Sequence, residues 1–182
     1  MITLVQNIFL SIPSLAYLLL PAYIANMAPV ISRPWFKHFA TPIDNNRWWH
    51  GQPLFGNHKT WRGILTGIAG AVCITLIQSI VTPITQYANY QQLWLPLGLA
   101  MGLGALGGDL LKSFFKRRRG FPPGARWIPW DQIDFIIGAL ILITPLVRIT
   151  IINQITIIVG SFLGHVLVNR IGFWLEIKDT PW

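Results

Sequence analysis

The chain has 182 residues and only six acidic side chains, and three of those six fall in one segment, GDLLKSFFKRRRGFPPGARWIPWDQIDF, residues 108–135. A helix continuing through Lys116 places Asp109, Lys112, Ser113 and Lys116 at i, i+3, i+4 and i+7, a single polar stripe. Asp131 and Asp134 are spaced i, i+3 at the start of a further helix and point the same way. A helix dipole favours acids at that end, which by itself accounts for the pair. Asp109 has no such account. It follows GLGALGG, at an apolar boundary where a carboxylate costs energy unless paired or metal-bound, and ionisable groups at such depth mark function. Carboxylates suit Mg²⁺, a hard cation that keeps water and substrate phosphates in its shell. Lysine and arginine hold phosphates directly. Lys116 and Arg117, nearest the stripe, are the basic site candidates. The remainder of the run, Arg118 and Arg119, also fits a juxtamembrane basic patch, and Arg118 is assigned mainly to the membrane surface.

A second segment, PIDNNRWWHGQPLFGNHKTWRG, residues 42–63, carries Lys59, Thr60 and Arg62 between Gly56 and Gly63. Backbone amides at a turn leading into a helix, with Lys and Arg beside them, suit a phosphate. The GxxxxGK[ST] pattern of a Walker loop is absent. His50 and His58 are isolated in the loop and read as solvent-facing or packed on aromatic rings rather than as metal ligands.

Hydrophobic residues make up 53% of the chain and charged residues 11%, against about 25% charged in a soluble domain. Mean hydropathy is +0.51. This excludes disorder. A single cysteine, Cys73 in an apolar run, excludes a disulfide scaffold and reads as a small buried hydrophobe. The class that remains is an all-α polytopic membrane protein of one domain, residues 1–182. Spans of about 20 apolar residues are expected at 3–27, 64–81, 93–111, 133–147 and 149–168, with cytoplasmic loops at 28–63 and 112–132. The first span is too long, and lacks the flanks, for a removable signal peptide. Glycine density in the third suits a helix packed on several neighbours. With five spans, thirteen of the fourteen basic residues lie on one side, Arg148 alone on the other. The positive-inside rule makes the crowded side cytoplasmic and the N-terminus external, in the cell membrane. All six acids lie in or beside the same segments, which that rule does not require, so a polar site is expected on the cytoplasmic face. No nucleic-acid partner is expected.

Gly108-Asp109-x-x-x-Ser113-x-x-Lys116-Arg117, followed by a Gly/Pro loop and Asp131-Gln-x-Asp134, resembles the signature of membrane CTP-transferases of the CDP-diacylglycerol synthase superfamily. The closer resemblance is to its small five-span branch, the CDP-archaeol synthase family. Three blocks carry it in order: Pro42-Ile43-Asp44 with Lys59-Thr60-Trp61-Arg62-Gly63, residues 108–135, and a tail with His165, Asn169, Lys178 and Pro181-Trp182. The resemblance implies transfer of CMP from CTP to 2,3-bis-O-(geranylgeranyl)glycerol 1-phosphate, giving CDP-archaeol and pyrophosphate with Mg²⁺. It implies Asp109, Asp131 and Asp134 as metal-binding and catalytic carboxylates, Lys116 (also catalytic) and Arg117 as triphosphate contacts with Ser113 beside them, and Lys59, Thr60 and Arg62 as the nucleotide loop. Asn45, Asn46 and His58 stand where members often carry glycine. Asn tolerates the left-handed backbone better than most residues.

The nucleophile in such a reaction is a phosphate monoester with a second pKa of about 6, so no general base is needed. Charge neutralisation and alignment of two anions are. Cytosine must also be told from other bases, and residues 33–62 are expected to fold over it, with Asp44 or backbone carbonyls accepting from N4. Lipid chains are expected to reach the site sideways, through a groove open to the bilayer. Phosphatidic acid is the alternative substrate, a CDP-alcohol phosphotransferase the alternative enzyme, and a small transporter the alternative outside enzymes.

Overall fold

The computed structural model describes residues 2–82, 84–122 and 125–176; Lys178, Asp179 and Pro181-Trp182 of the tail lie outside the described residues. The fold is all-α, as composition and periodicity predict. Its helices are α1 (Ile2–Ile31), α2 (Trp61–Val81), α3 (Tyr90–Arg118), α4 (Trp130–Ile143) and α5 (Ile151–Trp174). Four of them, α1, α2, α3 and α5, are long and apolar enough to cross a membrane. α4 has 14 residues, about 21 Å of rise, short of a hydrocarbon core about 30 Å thick. It stops before Pro145, which has no N–H to continue the ladder. A turn completes the return path, and the Arg148 amide donates to the Tyr87 carbonyl at 3.0 Å, beside the start of α3. α3 runs seven residues past Leu111, where the apolar run ends. Hydropathy marks the apolar stretch, whereas the hydrogen-bond ladder continues under Lys112, Ser113 and Lys116.

α3 packs against α1, α2 and α4, and α5 lies outside against α1 and α4. Close approach is made by glycine. A Cβ on Gly104 or Gly108 would collide with the α4 backbone at Gly138 and Asp134, and one on Gly102 would lie 3.0 Å from Ile68 Cα on α2. α1 contains Pro13, Pro21 and Pro29 and remains helical. Pro21 cannot donate to the Tyr17 carbonyl one turn earlier, and the buried Gln78 of α2 supplies the missing donor, Nε2 to Tyr17 O at 2.6 Å. Large apolar side chains, among them Ile77, Ile80, Ile141, Leu163 and Leu167, are exposed on the outer faces, the arrangement of a surface solvated by lipid. Cys73, expected as a buried hydrophobe, belongs to that outer face.

Residues 32–60 form the one large excursion between α1 and α2. Its base is closed by Ile43 N to Lys59 O (2.9 Å) and Trp61 N to Thr41 O (3.1 Å). Within it, strands β1 (Trp48–Trp49) and β2 (Gln52–Pro53) pair antiparallel. They are joined by His50 and Gly51, both at positive φ (50° and 72°), the turn geometry that matches strand twist. Asn45 and Asn46 also stand at positive φ, 49° and 57°, so the asparagines occupy the conformation for which glycine would otherwise be needed.

Candidate active site

The start of α2, the end of α3 and the start of α4 bring together six oppositely charged side chains. Lys59, just before α2, pairs with Asp109 on α3. Lys112, one turn along α3, stands where three carboxylates meet. Its Nζ lies 3.4 Å from Asp109 Oδ1, 3.0 Å from Asp131 Oδ1 and 3.1 Å from Asp134 Oδ2. Lys116 Nζ donates to both oxygens of Asp131 at 2.8 Å. The α3 stripe and the α4 pair therefore face each other. Gly108 allows this, because any side chain there would force the Asp134 backbone away.

Hydrogen bonds from the chain fix the acids. Asp131 Oδ2 accepts from Trp127 N at 2.6 Å and Asp134 Oδ1 from Phe135 N at 2.7 Å. Burial alone would push the Asp131 carboxyl up. Hydrogen bonds from Lys116 and Lys112, the Lys112 charge and the Trp127 amide outweigh it and hold the group below the ordinary carboxylate range. Among the described residues no three His, Cys, Asp or Glu side chains form a ready-made metal cage. The carboxylates converge instead on the Lys112 ammonium. Their oxygens are the donor type that a hard divalent cation takes, and a cation already stands at their meeting point, so the donor set fits Mg²⁺ in chemistry.

Thr60 caps α2, its Oγ1 accepting from Gly63 N at 3.2 Å. Arg62 Nη1 donates to the carbonyls of Arg33 (3.0 Å) and Trp35 (3.4 Å) and so ties the start of α2 to the chain leaving α1. Lys59, Thr60, Arg62 and Asp109 line a cleft of about 450 Å³. Arg117 is buried on α3 and donates through Nη1 to the Phe121 carbonyl. Ser113 is buried one turn beyond Asp109. On the other side of α3, a groove of about 420 Å³ lies between α3 and α4. Its walls include Leu111, Phe115, Trp130 and Ile141, with Lys112 and Asp134 also lining it. The charged row thus separates a polar cleft from a largely apolar groove.

Several residues take places the sequence did not indicate. Asp44 stands apart from the charged row. Its two oxygens accept from the amides of Asn46 (3.0 Å) and Phe55 (3.1 Å), which braces its own loop. Arg118, assigned mainly to the membrane surface, is instead bonded to the loop hairpin, donating to the carbonyls of Trp49, Gln52 and Pro53. Lys112 was legible as part of the stripe by its i+3 spacing from Asp109, but its position at the meeting of three acids depends on α4. Nothing local signals the Arg118 contacts, which join residues more than sixty positions apart. In the tail block, His165 and Asn169 contact each other along α5 at 3.2 Å.

A bundle of apolar helices with a charged row at one end, flanked by a polar cleft and a largely apolar groove, describes a membrane-embedded protein whose site lies near one end of the bundle. The family model described as CarS-like, CDP-archaeol synthase, matches residues 5–182, and the chain belongs to that family. It is similar to the CDP-archaeol synthase of Methanosphaerula palustris, 38% identical, covering 90% of this chain and all of that one. That of Pyrococcus furiosus is 37% identical over 90% of this chain and 94% of its own length. A solved intramembrane enzyme for archaeal membrane lipid biosynthesis shares the fold, with a TM-score of 0.73 and 30% identity over 85% of this chain and 91% of that one.

Proposed function

We propose that this chain transfers CMP from CTP to 2,3-bis-O-(geranylgeranyl)glycerol 1-phosphate, forming CDP-archaeol and pyrophosphate. The observation that carries the reading is the placement of the charged row between two openings of opposite character, in a chain that matches CDP-archaeol synthases from residue 5 to its last residue. A triphosphate suits the cleft that holds Lys59, Thr60 and Arg62. A lipid phosphate suits the groove where Lys112 stands among apolar walls, its chains lying against α3 and α4. The two anions then meet across one layer of side chains.

The attacking phosphate oxygen is already deprotonated near neutral pH, so the absence of a poised histidine or serine pair in the row is no obstacle. The barrier is electrostatic. Lys112 and Lys116 offset the charge of two approaching anions, and Lys59 supports the departing pyrophosphate, as preorganised cations do at sites of developing negative charge. Asp109, Asp131 and Asp134 would hold Mg²⁺, which supplies further charge neutralisation and alignment. With their charge met by the ion, Lys112 would be available to a phosphate. The basic loops support a cytoplasmic site in the cell membrane with the N-terminus outside.

The test uses purified full-length chain with CTP, Mg²⁺ and a choice of the ether-linked lipid phosphate or phosphatidic acid. Pyrophosphate release that requires lipid phosphate, with CDP-archaeol the preferred product, is the expected result. No pyrophosphate release overturns the enzyme reading, and preference for phosphatidic acid overturns the substrate.

A further inference from the structure

We propose that residues 33–39 form a foot that docks on the anionic headgroup surface of the bilayer, beside the end of α1 and the start of α2. The inference goes beyond the reaction, since it holds whichever substrates the charged row serves.

The segment Arg33-Pro34-Trp35-Phe36-Lys37-His38-Phe39 follows the last turn of α1 and contains one 3₁₀ turn, Lys37–Phe39, that lies against α2. Its backbone is fixed by the chain. The buried Ser32 shares a hydrogen bond with Thr66 of α2 (3.1 Å), and Arg62 Nη1 donates to the carbonyls of Arg33 and Trp35. Its side chains are left outside. Every residue from 33 to 40 is exposed, and Trp35, Phe36 and Phe39 are 59%, 62% and 55% exposed. Phe36 stands at φ 50°, a left-handed conformation unfavourable to any residue with a Cβ and an outlier for one this bulky. Packing inside the chain does not offset that strain, because most of the residue is exposed. An outlier that the fold itself does not use points to a use outside it.

Charge narrows the partner. No acid precedes Asp44 in the sequence, and Asp44 is itself occupied by loop amides. Every ion pair among the described residues belongs to the charged row, so Arg33 and Lys37 have no carboxylate partner there. Aromatic rings interleaved with bases suit the boundary of a bilayer. Tryptophan settles at headgroup level, and each basic side chain near an anionic surface favours the bound state by about fivefold.

Height along the bundle decides between bilayer and water. Met27 and Ile31 are exposed in the turn of α1 just before the foot, and Trp61, also exposed, opens α2 just after the loop. Both helices are long and apolar enough to cross a membrane. Exposed apolar surface therefore runs from α1 into the foot without a break. The hairpin tryptophans belong to a different level. Their strands are bonded to Arg118, seven residues beyond Leu111, which is about 10 Å of helix rise. Arg33 also lines the cleft that holds Lys59 and Asp109, so docking of the foot seats the rim of that cleft on the bilayer.

The experiment uses the full chain without its single cysteine, Cys73→Ser, and attaches a bimane label through Phe36→Cys, through Phe39→Cys or, on the hairpin, through Gln52→Cys. Each protein is reconstituted into phosphatidylcholine vesicles with or without phosphatidylglycerol. Lipids carrying a nitroxide at the headgroup or near the chain end quench from the bilayer, and acrylamide quenches from water. Labels at 36 and 39 are expected to be quenched at least twofold more by the headgroup nitroxide than by the chain-end nitroxide. Acrylamide should reach them at least twofold less in vesicles than in detergent, and the label at 52 equally in both. Phosphatidylglycerol should raise headgroup quenching at 36 and 39, salt or Lys37→Gln should cancel the rise, and Lys37→Arg should keep it. Two label sites leave the test standing if one substitution does not fold. Labels at 36 and 39 that acrylamide reaches as freely as the label at 52 put the foot in water and overturn the proposal. Labels shielded from acrylamide and from both nitroxides reveal a protein cover, a second copy or another chain, and overturn it too. Headgroup quenching that ignores phosphatidylglycerol and salt overturns the anionic partner.

Discussion

Lys112 stands at the meeting point of Asp109, Asp131 and Asp134, with its side chain only 15% exposed. Removing one partner of a buried ionic group leaves uncompensated charge and costs about 3–5 kcal/mol. Lys112→Gln is therefore expected to lower the thermal midpoint in chelator, and Mg²⁺ should restore more of it than it adds to wild type. Equal Mg²⁺ shifts in both proteins would argue against a cation site at the three acids. Asp131→Asn and Asp134→Asn each remove a negative oxygen while keeping shape, and both are expected to abolish CDP-lipid formation in protein that remains folded by circular dichroism. Near-normal turnover in either would take that carboxylate out of the chemistry. At this scale the sequence is most informative where charge contradicts its setting. Asp109 after a glycine-rich apolar run has no use as a solvated surface group, and it does lie in the charged row. Arg118, inside a run of four basic residues, carries no such contradiction, and its role depends on a hairpin sixty positions away.

Helices α3 and α4 meet through glycine, and that contact sets the distance between the stripe and the acid pair. Gly108→Ala puts a methyl into the Asp134 carbonyl, whereas nothing lies within 4 Å of a Cβ on Gly107. Overpacking of this kind costs about 1–3 kcal/mol. Gly108→Ala is expected to lower the thermal midpoint and to cut turnover more than tenfold by spreading Lys112 from the α4 acids, with Gly107→Ala close to wild type in both. If the two variants behave alike, helix spacing does not control the site. The glycine density that predicts close packing was readable from the sequence, because only small residues permit it. The helix ends were less so. A hydropathy run cannot show that α3 continues as a helix through Arg118 or that α4 halts before Pro145, since both depend on backbone hydrogen bonding. Nor does α1 announce that Pro21 is tolerated because Gln78, fifty-seven positions later, bonds the carbonyl it leaves open.

Taken as one object, the molecule places a polar cleft and a largely apolar groove on either side of a single layer of charge. Thirteen of the fourteen basic residues and all six acids belong to the segments on one side of the expected spans, so this end of the molecule was foreseeable. A lateral groove was expected, but not its place between α3 and α4, because that arises from which faces of α3 are covered by α2 and α4. In the proposed reaction, the partition assigns each substrate its own approach. Leu111 and Ile141 are 62% and 65% exposed and line the α3–α4 groove. Tryptophan at either position fills that groove without entering the packed core. Val159, 50% exposed, lines a separate apolar groove of about 480 Å³ between α1 and α5 and serves as the matched control. Leu111→Trp and Ile141→Trp are expected to raise the KM for the lipid phosphate about tenfold, the factor that 1.4 kcal/mol of lost binding gives, with the KM for CTP unchanged. Val159→Trp should leave both near wild type. The reverse pattern, with only Val159→Trp raising the lipid KM, would move the lipid chains to the α1–α5 side, and they would then have to reach Lys112 around α4 rather than alongside it.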